Sequence, residues 1–392
     1  MNLANANIEF STLARRLLQA MVLVGLGTMV LGFFVNPDRA FANLLLLSFG
    51  IVGLGLGGGL FLTTQYLSGA GWATALRRIP EAMVTLLPVG AVGILIVLIL
   101  RPSLYPWTDP SPALQHLMVG FKGVWLDRPF FLGRAVFYLV VWIFLARALV
   151  SNSVRQDADG NLLHSVRNGR VAAAFAVLVA LTFCAASFDW IMSLEPEWFS
   201  TIFGLYNVAG VFVATLAMIT IYAVWLQRRG EFRDVLSGEH LHDLGKLMMG
   251  MSTFWAYLWF SQYMLIWYSN MPEETGYYVL RKSGSWSSLF LLNLIVNWAL
   301  PFFTLLPVQC KRSPAVMVKV AVLLLVGRWL DLYLMVMPPV LGFSGPRIGV
   351  WEIGMLLGAI GAVALLVTRQ LASAPLLPER DPRFQQSLHY HS

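Results

Sequence analysis

The chain has 392 residues, 58% of them hydrophobic and only 12% charged, and its mean hydropathy is +0.69. So apolar a composition excludes an ordinary soluble globular protein. The net charge of +7 sits on arginines and lysines between apolar runs rather than on one basic face, which argues against a nucleic-acid partner.

About 20 apolar residues in a helix cross the roughly 30 Å hydrocarbon core of a bilayer. Runs of that order recur along the chain at 13–35, 41–66, 82–100, 130–150, 171–190, 202–226, 247–268, 286–307, 315–337 and 348–367. None alternates in the manner of a barrel strand. The first follows Arg15 and Arg16 and ends in FFVNPD, without a small-residue cleavage site, so it reads as a retained helix and not a signal peptide. The expectation is an all-α polytopic membrane protein with ten transmembrane helices spanning 1–370 and a Pro-rich polar tail at 371–392.

The second run carries GIVGLGLGGG, a series that lets another helix approach closely; no Lys-Ser/Thr follows to make it a phosphate loop. Arginines and lysines such as Arg77, Arg78, Arg147, Arg155, Arg167, Arg228, Lys311 and Arg369 crowd one set of loops. Arg39, Arg101, Lys122, Arg128, Arg134, Arg281, Lys282 and Arg347 fall on the other. The positive-inside rule then places both termini in the cytoplasm. Three outward segments mix aromatic and charged residues: 101–129, FDWIMSLEPEWFS and SNMPEETGYYVLRK. They read either as interfacial anchors or as a docking surface.

Ionisable groups inside a membrane call for a partner or a task, because each costs at least ~2.5–3.5 kcal/mol to insert. Arg328 and Asp331, three apart in LLLVGRWLDLYLM, share a helix face and read as an ion pair or as the wall of a hydrated proton path. Asp189 ends the fifth run, where the helix dipole disfavours an anion, so a functional role is the better reading. Glu195 and Glu197 precede the sixth run and read as helix caps, and Asp243 as the cap of the seventh. Glu352 follows Arg347 closely enough to pair with it. Asn293 and Asn297 read as interhelical glue. Gln262 and Tyr263 fit either interhelical hydrogen bonds or the walls of a quinone pocket. Tyr206 and Asn207 follow early in the sixth run, and Glu273 and Glu274 stand at the outer exit of a proton path.

All six histidines lie in loops or the tail, so no facing pair is available to hold a haem across the membrane. The pair in GEHLHDLGK is too sparse for a metal centre. Cys184 and Cys310, far apart and apolar in setting, read as small buried hydrophobes.

Two longer runs, HDLGKLMMGMSTFWAYLWFSQYMLIWYSNMPEETGYY and FDWIMSLEPEWFSTIFGLYNVAG, resemble the ActF-type membrane subunit of bacterial alternative complex III. Such subunits are NrfD-like, or polysulphide-reductase-type. The resemblance extends from the first run to the last and implies two four-helix bundles with flanking helices, in a bacterial inner membrane. It implies a quinol:electron acceptor oxidoreductase assembly with a multihaem cytochrome, an iron-sulfur subunit, an ActC-type NrfD-like subunit and small membrane anchors as partners. In it this chain, without redox-cofactor ligands of its own, contributes a quinone-facing cavity or a proton path. On that reading quinone or quinol meets Tyr206, Gln262 and Tyr263, while Asp189, Arg328, Asp331, Glu273 and Glu274 handle protons. WYSN stands here where the ActC type has WYSG, and ActC is the better candidate for quinol oxidation. A purely structural subunit is one alternative. A secondary transporter is another, although Pro88 and Pro301 do not interrupt matching spans of two halves.

Overall fold

The structure, a computed structural model, describes residues 8–390 apart from 113 and 234. Ten long helices dominate it: α1 Thr12–Val35, α2 Pro37–Ser68, α3 Thr74–Leu100, α4 Arg128–Asp159, α5 Leu163–Trp190, α6 Phe203–Arg229, α7 Gly238–Ser269, α8 Trp286–Leu305, α9 Pro314–Leu341 and α10 Val350–Leu371. No strand occurs among the described residues. Nine of these helices are long and apolar enough to cross a bilayer. The exception is α7, which at 32 residues is as long as α2 but is diluted by tryptophan, tyrosine and polar side chains. It still runs between the same two ends as its neighbours, since His240 meets the C-terminal tail and Gln262 meets the loops at the opposite end. The chain is therefore a multi-pass, all-α membrane protein.

Local chemistry sets the helix ends. α2 opens on Pro37 with Asp38 in its first turn, which suits the fixed proline φ and the positive end of the dipole, and it closes at Gly69 with φ 66°. α7 opens on Ser237, whose hydroxyl accepts from the backbone N–H of His240 while the imidazole accepts from the Ser237 N–H. Asp243, expected as the cap, lies in the second turn because the helix begins earlier than its apolar run. Its carboxylate takes the Tyr390 hydroxyl instead.

Helices α2 to α5 pack as one four-helix bundle and α6 to α9 as another, with α2 leaning on α6 and α9 to join them. α1 lies outside, packed on α10, and only 17% of its apolar window is buried against 78% for α6. The glycine series in α2 does allow close approach: a Cβ on Gly53 would stand 2.9 Å from Val211, and one on Gly59 2.5 Å from Phe175. α1 and α10 cross at Gly25 and Gly358, where either Cβ would strike the other backbone. Both cysteines are free.

Residues 372–390 pack across the end of the bundles where residues 9 and 10 also lie, here called the terminal face. Leu376, Leu377 and Phe384 are buried there, and Asp381 pairs with Arg77. The hydroxyl of Ser387 donates to the Trp72 carbonyl and contacts His240 Nε2 at 3.3 Å. Three apolar side chains spaced among the prolines supply an anchor that the polar composition of this tail obscures.

Candidate functional site

The second bundle is built around a buried ionic centre. Asp331 of α9 is 1% exposed, and its two oxygens receive donors from all four helices. The Tyr206 hydroxyl of α6 and Asn293 Nδ2 of α8, at 3.1 Å, donate to Oδ1. Arg328 Nη1 of α9, at 2.6 Å, and Trp255 Nε1 of α7, at 3.3 Å, donate to Oδ2. Arg328 turns its other Nη to Asn207 Oδ1 at 2.9 Å. Asn297 closes the group by donating to Asn293 Oδ1 and to the Gly327 carbonyl, at 2.7 and 3.0 Å.

Two local features make room for it. α8 widens into a π-turn over Ile295–Ala299, and Asn297 within that turn bonds back to the Asn293 carbonyl. Gly210 of α6 faces the guanidinium, and a Cβ there would lie 2.4 Å from Arg328 Nη1. Gly210→Ala is expected to lower stability by about 1–3 kcal/mol through overpacking. Gly27→Ala, with no neighbour within 4 Å, serves as a near-neutral control in the same thermal-unfolding assay.

A second charged group lies in the first bundle. Asp189, at the end of α5, accepts from Trp125 Nε1 at 2.7 Å and from Arg134 Nη2 and Nε of α4 at 3.0 and 3.2 Å. Arg134 also lies over the Trp125 ring, 3.9 Å from its centroid. The anion at a helix C-terminus is thus explained by a buried cation that loop counting assigned to topology.

The third group sits beyond α7, on the short helix Pro272–Lys282. Arg281, 1% exposed, grips Glu195 through both Nη atoms, at 3.2 and 2.6 Å. Its Nε and Nη2 donate to the carbonyls of Leu334 and Met335 at 2.8 and 3.2 Å. Those carbonyls would normally accept from residues 338 and 339, which are prolines without N–H groups. Burial opposes the charge on Arg281, but Glu195 and Tyr277 hold it, and the pKa rises. Glu195 is therefore the counter-ion of Arg281 and not a helix cap. Glu352 likewise pairs with Arg39 at 2.5 Å, because Arg347 offers it no side-chain contact and only its carbonyl, to Arg39, enters the group.

The structure thus brings Tyr206, Arg328 and Asp331 together and leaves the other expected site residues elsewhere. Gln262 bonds Ser200 and Tyr278, each at 3.0 Å, and Tyr263 receives Lys282 Nζ at 2.6 Å. A ladder of rings on α7, Trp255, Trp259 and Tyr263 at four-residue spacing, runs from the Asp331 centre toward this group, away from the terminal face. Glu273 is exposed and Glu274 half-buried in the first turn of the short helix, apart from either aspartate. Asn207, noted from the sequence beside Tyr206 without a role, proves to be the second partner of Arg328. Trp255 was not singled out, although it lies in the same aromatic run as Gln262 and Tyr263.

On its other side Arg328 borders an apolar cleft of about 470 Å³ between α2, α6, α9 and α10, walled by residues such as Leu46, Val211, Met218, Trp329 and Ile360. None of Tyr206, Gln262 and Tyr263 lines it. No cluster of three or more His, Cys, Asp or Glu side chains suited to a metal occurs among the described residues. Fold and site together define a helical membrane protein with a charged centre in one of two bundles. No protein-family model matches the chain, and comparison with curated proteins gives no match.

Proposed function

We propose that the chain is an integral membrane subunit of a quinol-oxidising electron-transfer assembly, of the ActF type, crossing a bacterial inner membrane ten times with both termini in the cytoplasm. Its second bundle holds a proton-handling centre at Asp331, and its partners carry the haem and iron-sulfur cofactors. The observation that carries this reading is the placement of an ionisable carboxylate, a phenol and a guanidinium in one contact group inside an apolar bundle. Such groups are retained in membranes at a cost and mark ion or proton routes. The apolar cleft that reaches Arg328 supports a long apolar ligand such as a quinol beside that centre.

Oxidation of a quinol releases protons as well as electrons, so a nearby group must accept them. Copurification of the tagged chain with haem-absorbing and iron-sulfur partners tests the assembly. In sealed vesicles, the complex bearing Asp331→Asn is expected to move fewer protons per electron than the parent. An unchanged ratio would remove Asp331 from the route.

A support subunit without ligand is the second reading. It is favoured by one specific fact: Asp189, Asp331, Gln262 and Tyr263 all have protein partners already. Quinone-analogue binding to a complex whose ActC-type subunit is inactivated separates the two.

A further inference from the structure

A second cavity, of about 200 Å³, opens at the terminal face between the end of α2, the start of α5 and the tail. Its lining pairs an apolar wall, Phe61, Leu62, Leu162 and Val166, with a polar one that includes Tyr66, Thr74 and Arg383. Leu162 and Val166 are exposed, so the apolar side opens outward along the helices.

The polar side has donors to spare. The Tyr66 oxygen accepts from Asn168 Nδ2 at 2.9 Å and from Arg77 Nη1 at 3.3 Å, while its own proton has no acceptor among the described residues. The Thr74 hydroxyl and the Arg383 guanidinium make no side-chain hydrogen bond or ion pair among those residues either. The carboxylate on this wall, Asp381, is already engaged, by Arg77 and by the Arg383 backbone N–H at 2.8 Å. Gln65 also lines this wall, and its buried Oε1 has no partner among the described residues, so its amide brings one acceptor to the cavity. The free donors outnumber it, one of them is a permanent cation and the acid is occupied, which suits a ligand that accepts hydrogen bonds and carries negative charge. A phosphate diester has that character.

The volume lies below the ~300 Å³ at which sites for drug-sized molecules begin, which leaves room for a phosphate and a few attached carbons rather than a nucleotide. We propose that this cavity holds the phosphate headgroup of an anionic membrane lipid, with its glycerol end against Leu162 and Val166. Arginines at a membrane boundary attract such lipids electrostatically, and the contact between Arg383 and the lipid would hold the tail on the terminal face. The inference does not depend on the redox reading above.

The test uses the full chain extracted with its native partners, exchanged into detergent with equal amounts of phosphatidylglycerol and phosphatidylcholine and examined by native mass spectrometry. Phosphatidylglycerol is expected to be retained preferentially, and Arg383→Gln to weaken that retention by about tenfold, the scale of one charge-assisted hydrogen bond. Thr74→Val, which keeps the side-chain shape, should weaken it in the same direction. Arg369→Gln, an exposed arginine outside the cavity, should leave it unchanged. Because Arg383 is only half-buried, its substitution does not open the core. Equal retention of the two lipids, or retention indifferent to both cavity variants, would overturn the proposal. A parallel arm with inorganic phosphate distinguishes the source: thermal stabilisation by phosphate alone, abolished by Arg383→Gln and unmatched by lipid, would assign the cavity to a soluble anion and overturn the lipid.

Discussion

Asp331→Ala is expected to lower the free energy of unfolding by about 3–5 kcal/mol, the usual consequence of removing one partner of a buried ion pair. Four donors on four helices lose their acceptor at once, and the guanidinium of Arg328 stays behind in an apolar bundle. The penalty comes from that stranded charge more than from the net strength of the pair. Asp331→Asn, which keeps one oxygen, should fall between parent and alanine variant. The double change Arg328→Met with Asp331→Leu removes both charges and is expected to be less damaging than Asp331→Ala alone. Thermal-unfolding midpoints of the four proteins in one detergent check the order. An Asp331→Ala variant as stable as the parent would mean that Arg328 has another counter-charge or water.

Arg281→Ala is expected to be comparably severe, about 3–5 kcal/mol, for a related reason. It removes the cation facing Glu195 and, in the same step, the donors that satisfy the Leu334 and Met335 carbonyls. Arg281→Lys restores the charge but not the fork of planar donors, so it should recover only part of the loss. A double-mutant cycle isolates the backbone share. In the Pro338→Ala/Pro339→Ala background the helix regains two N–H groups, and Arg281→Ala should then cost about 1–2 kcal/mol less than in the parent. Equal costs in both backgrounds would show that the prolines do not create the need for Arg281.

Run length and the lack of strand-like alternation made the helical architecture readable, because a bilayer demands long apolar runs whatever the tertiary arrangement. α7 shows the limit of hydropathy: Trp255, Trp259, Gln262 and Tyr263 lower its apolar score, yet these side chains pack against rings and polar groups of the same bundle. Of the central site, the Arg328–Asp331 contact was readable from three-residue spacing on one helix. Its completion by Tyr206, Trp255 and Asn293 was not, since those contacts join residues 38 to 125 positions apart. Arg134 and Arg281 were misread for a different reason. A cation near the end of a run looks like a topology signal until the fold brings a carboxylate to it, as it does with Asp189 and Glu195. The tail was likewise opaque, because three anchoring side chains among 19 residues leave a polar average.

The proline pair in α9 also bears on how the second bundle matures. A helix ordinarily completes its own hydrogen-bond ladder as it forms, but here two rungs are supplied by a side chain from the short helix Pro272–Lys282. Until residues 272–282 settle over the last turns of α9, its Leu334 and Met335 carbonyls lack these protein donors, which couples the stability of the two segments. Damage to either should then be felt across the end of the bundle opposite the terminal face rather than at the altered residue alone.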